Sequence, residues 1–104
     1  MRKLGFEEFD VTVLSNELWD VRDDNIDIEV DLRDGRRFAA TFFTVKNLTS
    51  LLEKFRESGE CANGTFVWAV EMIVLRDLTD VSIHATIRDL ITTEKIESAM
   101  LPID

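Results

Sequence analysis

Apolar and polar residues alternate with a period of two in several stretches of this chain, and the rhythm changes to that of a helix twice. Phe9, Val11 and Val13 alternate with Asp10 and Thr12, which predicts a half-buried strand whose pattern Leu14 breaks. Ile26, Ile28, Val30 and Leu32 alternate without error against Asp27, Glu29 and Asp31, giving a strand with an entirely acidic outer side. Arg36 to Thr44 continues the same rhythm, with Phe38, Ala40 and Phe42 on one side. Between the two runs stands Arg33-Asp34-Gly35. A three-residue loop closed by a left-handed Gly35 sets Val30 against Phe38, Ile28 against Ala40 and Ile26 against Phe42, with Asp31 beside Arg37 on the opposite face. A two-residue loop mixes core and solvent positions and is rejected on that ground.

After Thr44 the spacing of Leu48, Leu51, Leu52 and Phe55 predicts a helix, with Thr44 or Asn47 as its cap and Ser58-Gly59 as its end. Thr65 to Leu75 returns to a period of two. Phe66, Trp68, Val70, Met72 and Val74 share one side, and the other carries Val67, Ala69, Glu71 and Ile73. Two largely apolar faces predict a central strand covered on both sides, with Trp68 in the core. Thr79 is placed to cap a second helix with the stripe Ile83, Ile87, Leu90 and Ile91, ending at Thr92 and Thr93. The segment from Ile96 to Ile103 is apolar enough to dock as a short helix or edge strand, and Pro102 argues against pairing beyond that point. The expected architecture is one α+β domain over residues 1–104. Its mainly antiparallel sheet of about four strands, in β-β-β-α-β-α order, packs against two helices.

Composition changes this picture little. With 104 residues, 45% hydrophobic and 32% charged, the chain fits a single folded core. No apolar run approaches the length of about 20 residues that spans a bilayer, Met1-Arg2-Lys3 leads into no apolar secretory segment, and the single Cys61 suits a reducing compartment, so a cytoplasmic protein is expected.

Charge changes it more. From Glu7 to Asp34 eleven acids face two arginines, which accounts for the whole net charge of −9. Such a field repels nucleic acid and anionic membranes and attracts a protein partner with a basic surface. The candidate contact residues are Glu17, Trp19, Asp20, Asp23, Asp24, Asp27, Glu29 and Asp31, with Trp19 as an aromatic anchor in an acidic ring. The same charges also suit a solvated sheet face that resists edge pairing, and Trp19 also suits a ring folded back over the sheet.

Catalytic and ligand-binding chemistry finds few parts. Cys61 lies in a turn beside Glu60, a neighbour that does not favour a thiolate nucleophile, and His84 has no second histidine with which to share a metal. Asp23, Asn25 and Asp27 have the spacing that opens an EF-hand loop, but Ile28 stands where glycine is needed and Asp34 where a bidentate glutamate is needed. No glycine-rich phosphate loop is present. Neither a metal nor a cofactor, and no enzymatic activity, is expected.

The stretch from Arg36-Arg37-Phe38-Ala39-Ala40-Thr41-Phe42-Phe43 through Gly59-Glu60-Cys61 and Phe66-Val67-Trp68-Ala69 to Asp77-Leu78-Thr79 resembles small acidic bacterial α+β proteins. Some of those look like immunity proteins of polymorphic toxin systems. The resemblance implies a non-enzymatic role in which an acidic surface masks the basic active site of a toxin such as a nuclease. The alternative is a structural homodimer, with no toxin partner, whose sheet face or Thr65–Leu75 strand pairs with itself.

Overall fold

The turn at Arg33-Asp34-Gly35 sets the register of the sheet, and Gly35 adopts the left-handed backbone (φ 94°) that a side chain would resist. The structure is a computed structural model and describes residues 1–15 and 17–104. Strand β3 (Asn25–Leu32) pairs antiparallel with β4 (Arg37–Thr44), bringing Val30 opposite Phe38, Ile28 opposite Ala40, Ile26 opposite Phe42 and Asp31 opposite Arg37. This is the register that the three-residue loop predicts.

Strand β2 (Phe9–Val13) pairs antiparallel with β3, and β1 (Arg2–Gly5) pairs antiparallel with β2. On the far side of β4 two short strands share one edge. Strand β5 (Met72–Leu75) runs parallel to Thr41–Thr44, and β6 (Leu101–Ile103) runs antiparallel to Arg37–Ala39. The sheet is therefore mostly antiparallel and α+β in character, but it has six strands in the order β1-β2-β3-β4-β5, with β6 beside β5 on β4. The expected four strands omitted β1, and β6 is the edge strand that was left open as one form of the Ile96–Ile103 segment. Pro102 sits within β6, where a strand paired on one side only can leave the missing N–H facing outward.

The two expected helices are α1 (Val45–Ser58) and α3 (Asp80–Thr92), joined by the short α2 (Glu60–Gly64) and α4 (Ile96–Ala99). Thr44 caps α1 by accepting the Asn47 amide at 3.1 Å, and Gly59 ends it at φ 87°. Thr79 caps α3 by accepting the Ser82 amide at 3.2 Å. Asp77 supports that cap, accepting both the hydroxyl (2.6 Å) and the amide (3.1 Å) of Thr79. Hydroxyl hydrogen bonds from Ser82 and Thr79, with that amide, lower the Asp77 carboxyl to about 2. An aspartate depressed in the fold stabilises it above its unfolded pKa of about 3.9 and loses that contribution as pH falls toward 2. Urea unfolding at a series of pH values is expected to show wild type losing more stability between about pH 4 and 2 than Asp77→Asn. Parallel losses would contradict it.

The core lies between one sheet face and the pair α3 and α4. Val11, Ile26, Val30, Phe38 and Phe42 meet Leu78, Ile83, Ile87, Ile96 and Met100, all essentially inaccessible to water. Helix α1 stands apart. None of Leu48, Leu51, Leu52 and Phe55 belongs to this core, and its main neighbour is α2. The molecule is elongated, 45 × 25 × 22 Å, with a radius of gyration of 14.2 Å. A compact chain of this length has about 13 Å.

The strand expected from Thr65 to Leu75 is regular only from Met72, and it ends the sheet instead of crossing its centre. Glu71 takes a left-handed backbone (φ 50°) that breaks the run. Trp68, expected in the core, is 67% exposed. Both sides of the segment are apolar, yet no second layer covers the outer one.

Candidate functional site

Along β3, Asp27, Glu29 and Asp31 point away from the core, as the period of a strand requires, and the structure then separates them by partner. Arg37, across the ladder, donates from Nε to Asp31 at 2.6 Å and from Nη2 to Glu29 at 3.1 Å, while its Nη1 reaches the Asp104 carbonyl at 2.6 Å. The Asp31 hydrogen bond, and then its charge, raise the guanidinium's pKa and hold it charged. Arg33 pairs with Asp10 at 3.3 Å in the same way. The turn end of this face is thus neutralised by its own arginines.

Asp27 is different, since among the described residues its carboxylate accepts only the Thr41 hydroxyl, at 2.8 Å. Preceding it, Asp20, Asp23 and Asp24 fasten a loop. Asp20 accepts the Arg22 amide at 3.0 Å, and Asp24 accepts the amides of Asn25 (2.8 Å) and Asp20 (3.1 Å). Asp23 reaches Asn47 and Ser50, each at 3.4 Å, and so places negative charge beside the start of α1, a helix with no acid in its own first turn. Among the described residues none of Asp20, Asp23, Asp24 and Asp27 lies within ion-pairing distance of a lysine or arginine.

Glu17 stands away from this group, exposed and 3.9 Å from the α-amino group of Met1. Trp19 is not the exposed anchor of an acidic ring. Its indole N–H donates to the Leu78 carbonyl at 2.8 Å, its ring packs against the core, and the Arg2 guanidinium lies 5.1 Å above it. With the Leu78 amide bonded to the Val21 carbonyl at 2.7 Å, Trp19 laces the acidic loop to the approach of α3. The eight expected contact residues therefore divide into four uncompensated carboxylates, two neutralised ones, one near the chain start and one structural ring.

Periodicity alone left out an apolar depression next to Asp27. Leu14, Ala39, Val70 and Leu101 line it, and Asp27, Thr41 and Glu71 border it, around a volume of about 190 Å³. Its signal was legible in part, because Leu14 and Ala39 put apolar side chains at positions that alternation assigns to the outer face. The left-handed Glu71 brings its carbonyl to the Thr41 amide at 3.2 Å and so fixes Val70 at the rim.

The other candidates lie elsewhere in the fold. His84 donates from Nε2 to the Glu8 carboxylate at 3.1 Å and stacks on Phe9, with centroids 5.4 Å apart. That hydrogen bond is the main reason the Glu8 carboxyl sits below its usual range. Cys61 lies in α2, where it, Ala62 and Asn63 take left-handed backbone angles in succession. Asn25 and Asp27, from the EF-hand-like spacing, are extended residues of β3. No helix among the described residues is long and apolar enough to cross a membrane. Comparison with protein-family models, with curated proteins and with solved structures found no match to this chain.

Proposed function

We propose that this chain is a non-enzymatic protein-binding module that receives a basic partner at the end of the sheet marked by Asp20, Asp23, Asp24 and Asp27. The observation that carries the reading is the lack, among the described residues, of any cationic partner for these four carboxylates, beside a depression lined by Leu14, Ala39, Val70 and Leu101. Uncompensated charge steers encounter, and an apolar floor with a polar rim is where an anchoring side chain loses its water. A lysine or arginine of the partner lays its aliphatic stem across Leu14 and Ala39 and sets its head between Asp27 and Glu71. The resemblance to immunity proteins adds a biological form for such contact, the masking of a toxin's basic active site. Glu29 and Asp31, held by Arg37, contribute shape rather than field.

Kinetics with a basic protein captured by the tagged chain from its native cells provide the test. The association rate is expected to fall steeply with salt, and replacing Asp20, Asp23, Asp24 and Asp27 by asparagine is expected to slow it about tenfold at low salt. Replacing Glu53 and Glu57 on α1 instead leaves it unchanged. A rate insensitive to the four-residue change, or a captured partner with no basic surface, overturns the reading.

A further inference from the structure

The two edges of the sheet are equally short but differently protected. Strand β1 carries Arg2 and Lys3, the kind of charge that keeps an edge from pairing with another chain. Strand β5 is Met72-Ile73-Val74-Leu75, with no charge and no proline, and among the described residues its backbone makes no hydrogen bond beyond β4. The segment that leads into it is also unpaired. Among the described residues no backbone carbonyl accepts from the amides of Phe66 to Val70, and Phe66, Trp68, Val70 and Val74 are 47, 67, 59 and 46% exposed. Aromatic side chains offer about 150–250 Å² each, so this patch is at or above the few hundred Å² that a monomer exposes.

Charge identifies the occupant. From Val45 to Arg76, which includes α1, the return segment (residues 60–71) and β5, four acids (Glu53, Glu57, Glu60 and Glu71) balance four bases (Lys46, Lys54, Arg56 and Arg76). The whole charge of −9 lies outside this region. A basic partner gains nothing electrostatically here. A second copy of the same acidic chain finds an approach whose own charges balance. An open strand is also complementary to itself, since two copies running antiparallel across a two-fold axis supply each other's missing donors and acceptors and use up the β5 edge of both.

We propose that two copies of this chain associate through the bare edge of β5, joining their sheets, with Phe66, Trp68 and Val74 buried at the junction. This surface adjoins the acidic one at Val70 and Glu71, and the reading does not rest on the proposed basic partner. Salt tells the two contacts apart. Screening relieves repulsion between two chains of charge −9 and tightens the dimer, whereas it weakens attraction to a basic protein.

Sedimentation equilibrium of the full chain alone, from about 1 to 100 µM, is expected to give a dimer that tightens with salt. Val74→Lys is expected to weaken it at least about tenfold, which corresponds to about 1.4 kcal/mol, with an unchanged far-ultraviolet spectrum. Trp68→Ser, at an exposed position outside the core, is expected to weaken it likewise and serves as the deciding variant if a lysine on β5 disturbs folding. A monomer at about 100 µM, or a dimer that survives both changes in folded protein, overturns the proposal. A monomer that still binds a basic protein overturns this proposal alone.

Discussion

Replacing Gly64 with alanine is expected to unlatch the return segment from α1 while the sheet stays folded. Gly64 has φ 77°, and a Cβ there would stand 2.3 Å from the Leu52 carbonyl oxygen and 2.8 Å from the Arg56 amide nitrogen. Those are backbone atoms of α1, which cannot move aside as a flexible side chain can. Forcing a non-glycine residue into this backbone region costs roughly 1 kcal/mol, and overpacking against a fixed neighbour adds roughly 1–3 more. Gly35 separates the two effects. It makes the same demand on the backbone (φ 94°) but has open space around its missing Cβ, so Gly35→Ala is expected to cost only the first of these amounts, about 1 kcal/mol. Hydrogen exchange should show Gly64→Ala stripping protection from the second half of α1 and sparing β3 and β4. Equal effects of the two substitutions, or global unfolding by Gly64→Ala, would show that α1 and the core behave as one cooperative unit.

Phe42→Ala is expected to destabilise the whole domain by about 3–5 kcal/mol, a large part of the roughly 5–15 kcal/mol that holds a domain of this size together. Phe42 is fully buried, lies opposite Ile26 and Ile73 on the two neighbouring strands, and belongs to the strand on which β3, β5 and β6 all depend. The cavity opens at the centre of the sheet, where surrounding backbone is held from both sides and can collapse little. Phe66→Ala removes the same side chain from an exposed site and should change the stability of the monomer by less than about 0.5 kcal/mol. Urea titrations of the two variants at low protein concentration make the comparison. Similar midpoints would mean that Phe66 is packed more tightly than its exposure indicates.

The residues that made the fold legible are those whose pattern is local. Ile26 to Leu32 and Phe38 to Phe42 specify their own pairing through a turn that demands Gly35, and Thr44, Gly59 and Thr79 mark helix boundaries through their own hydrogen bonds and backbone angles. Strand β1 escaped because it has too few alternating residues to show a period, and for the same reason β6 was legible only as one of two forms open to the Ile96–Ile103 segment. Arg2-Lys3-Leu4-Gly5 holds one apolar side chain, and β6 is three residues long with a proline. Trp68 failed for a different reason. Alternation tells which side chains share a face of an extended segment, but nothing in a run of sequence says whether another layer arrives to cover that face.

The acidic residues carry the same lesson for the candidate site. Eleven carboxylates within the first third of the chain are plain in the sequence, and so is the pairing of Asp31 with Arg37. The division among the eight candidates was not legible, because it depends on contacts made across the chain. Arg37 captures Glu29 as well as Asp31, the distant Leu78 carbonyl turns Trp19 inward, and Asn47 and Ser50 bring Asp23 against α1. The apolar depression likewise draws Leu14, Ala39, Val70 and Leu101 from four separate parts of the chain.

The shared edge of β4 bears on how the chain reaches its fold. Hairpin β3–β4 closes over three residues, but Arg37 must find Ile103, and Thr41 must find Met72, before that strand has all its neighbours. Contacts so remote along the chain carry a high entropic cost of loop closure and form late. The early half of the sheet is therefore poised to assemble quickly around the β3–β4 turn. Its completion waits on a slower search, in which the last strand arrives from the far end of the polypeptide.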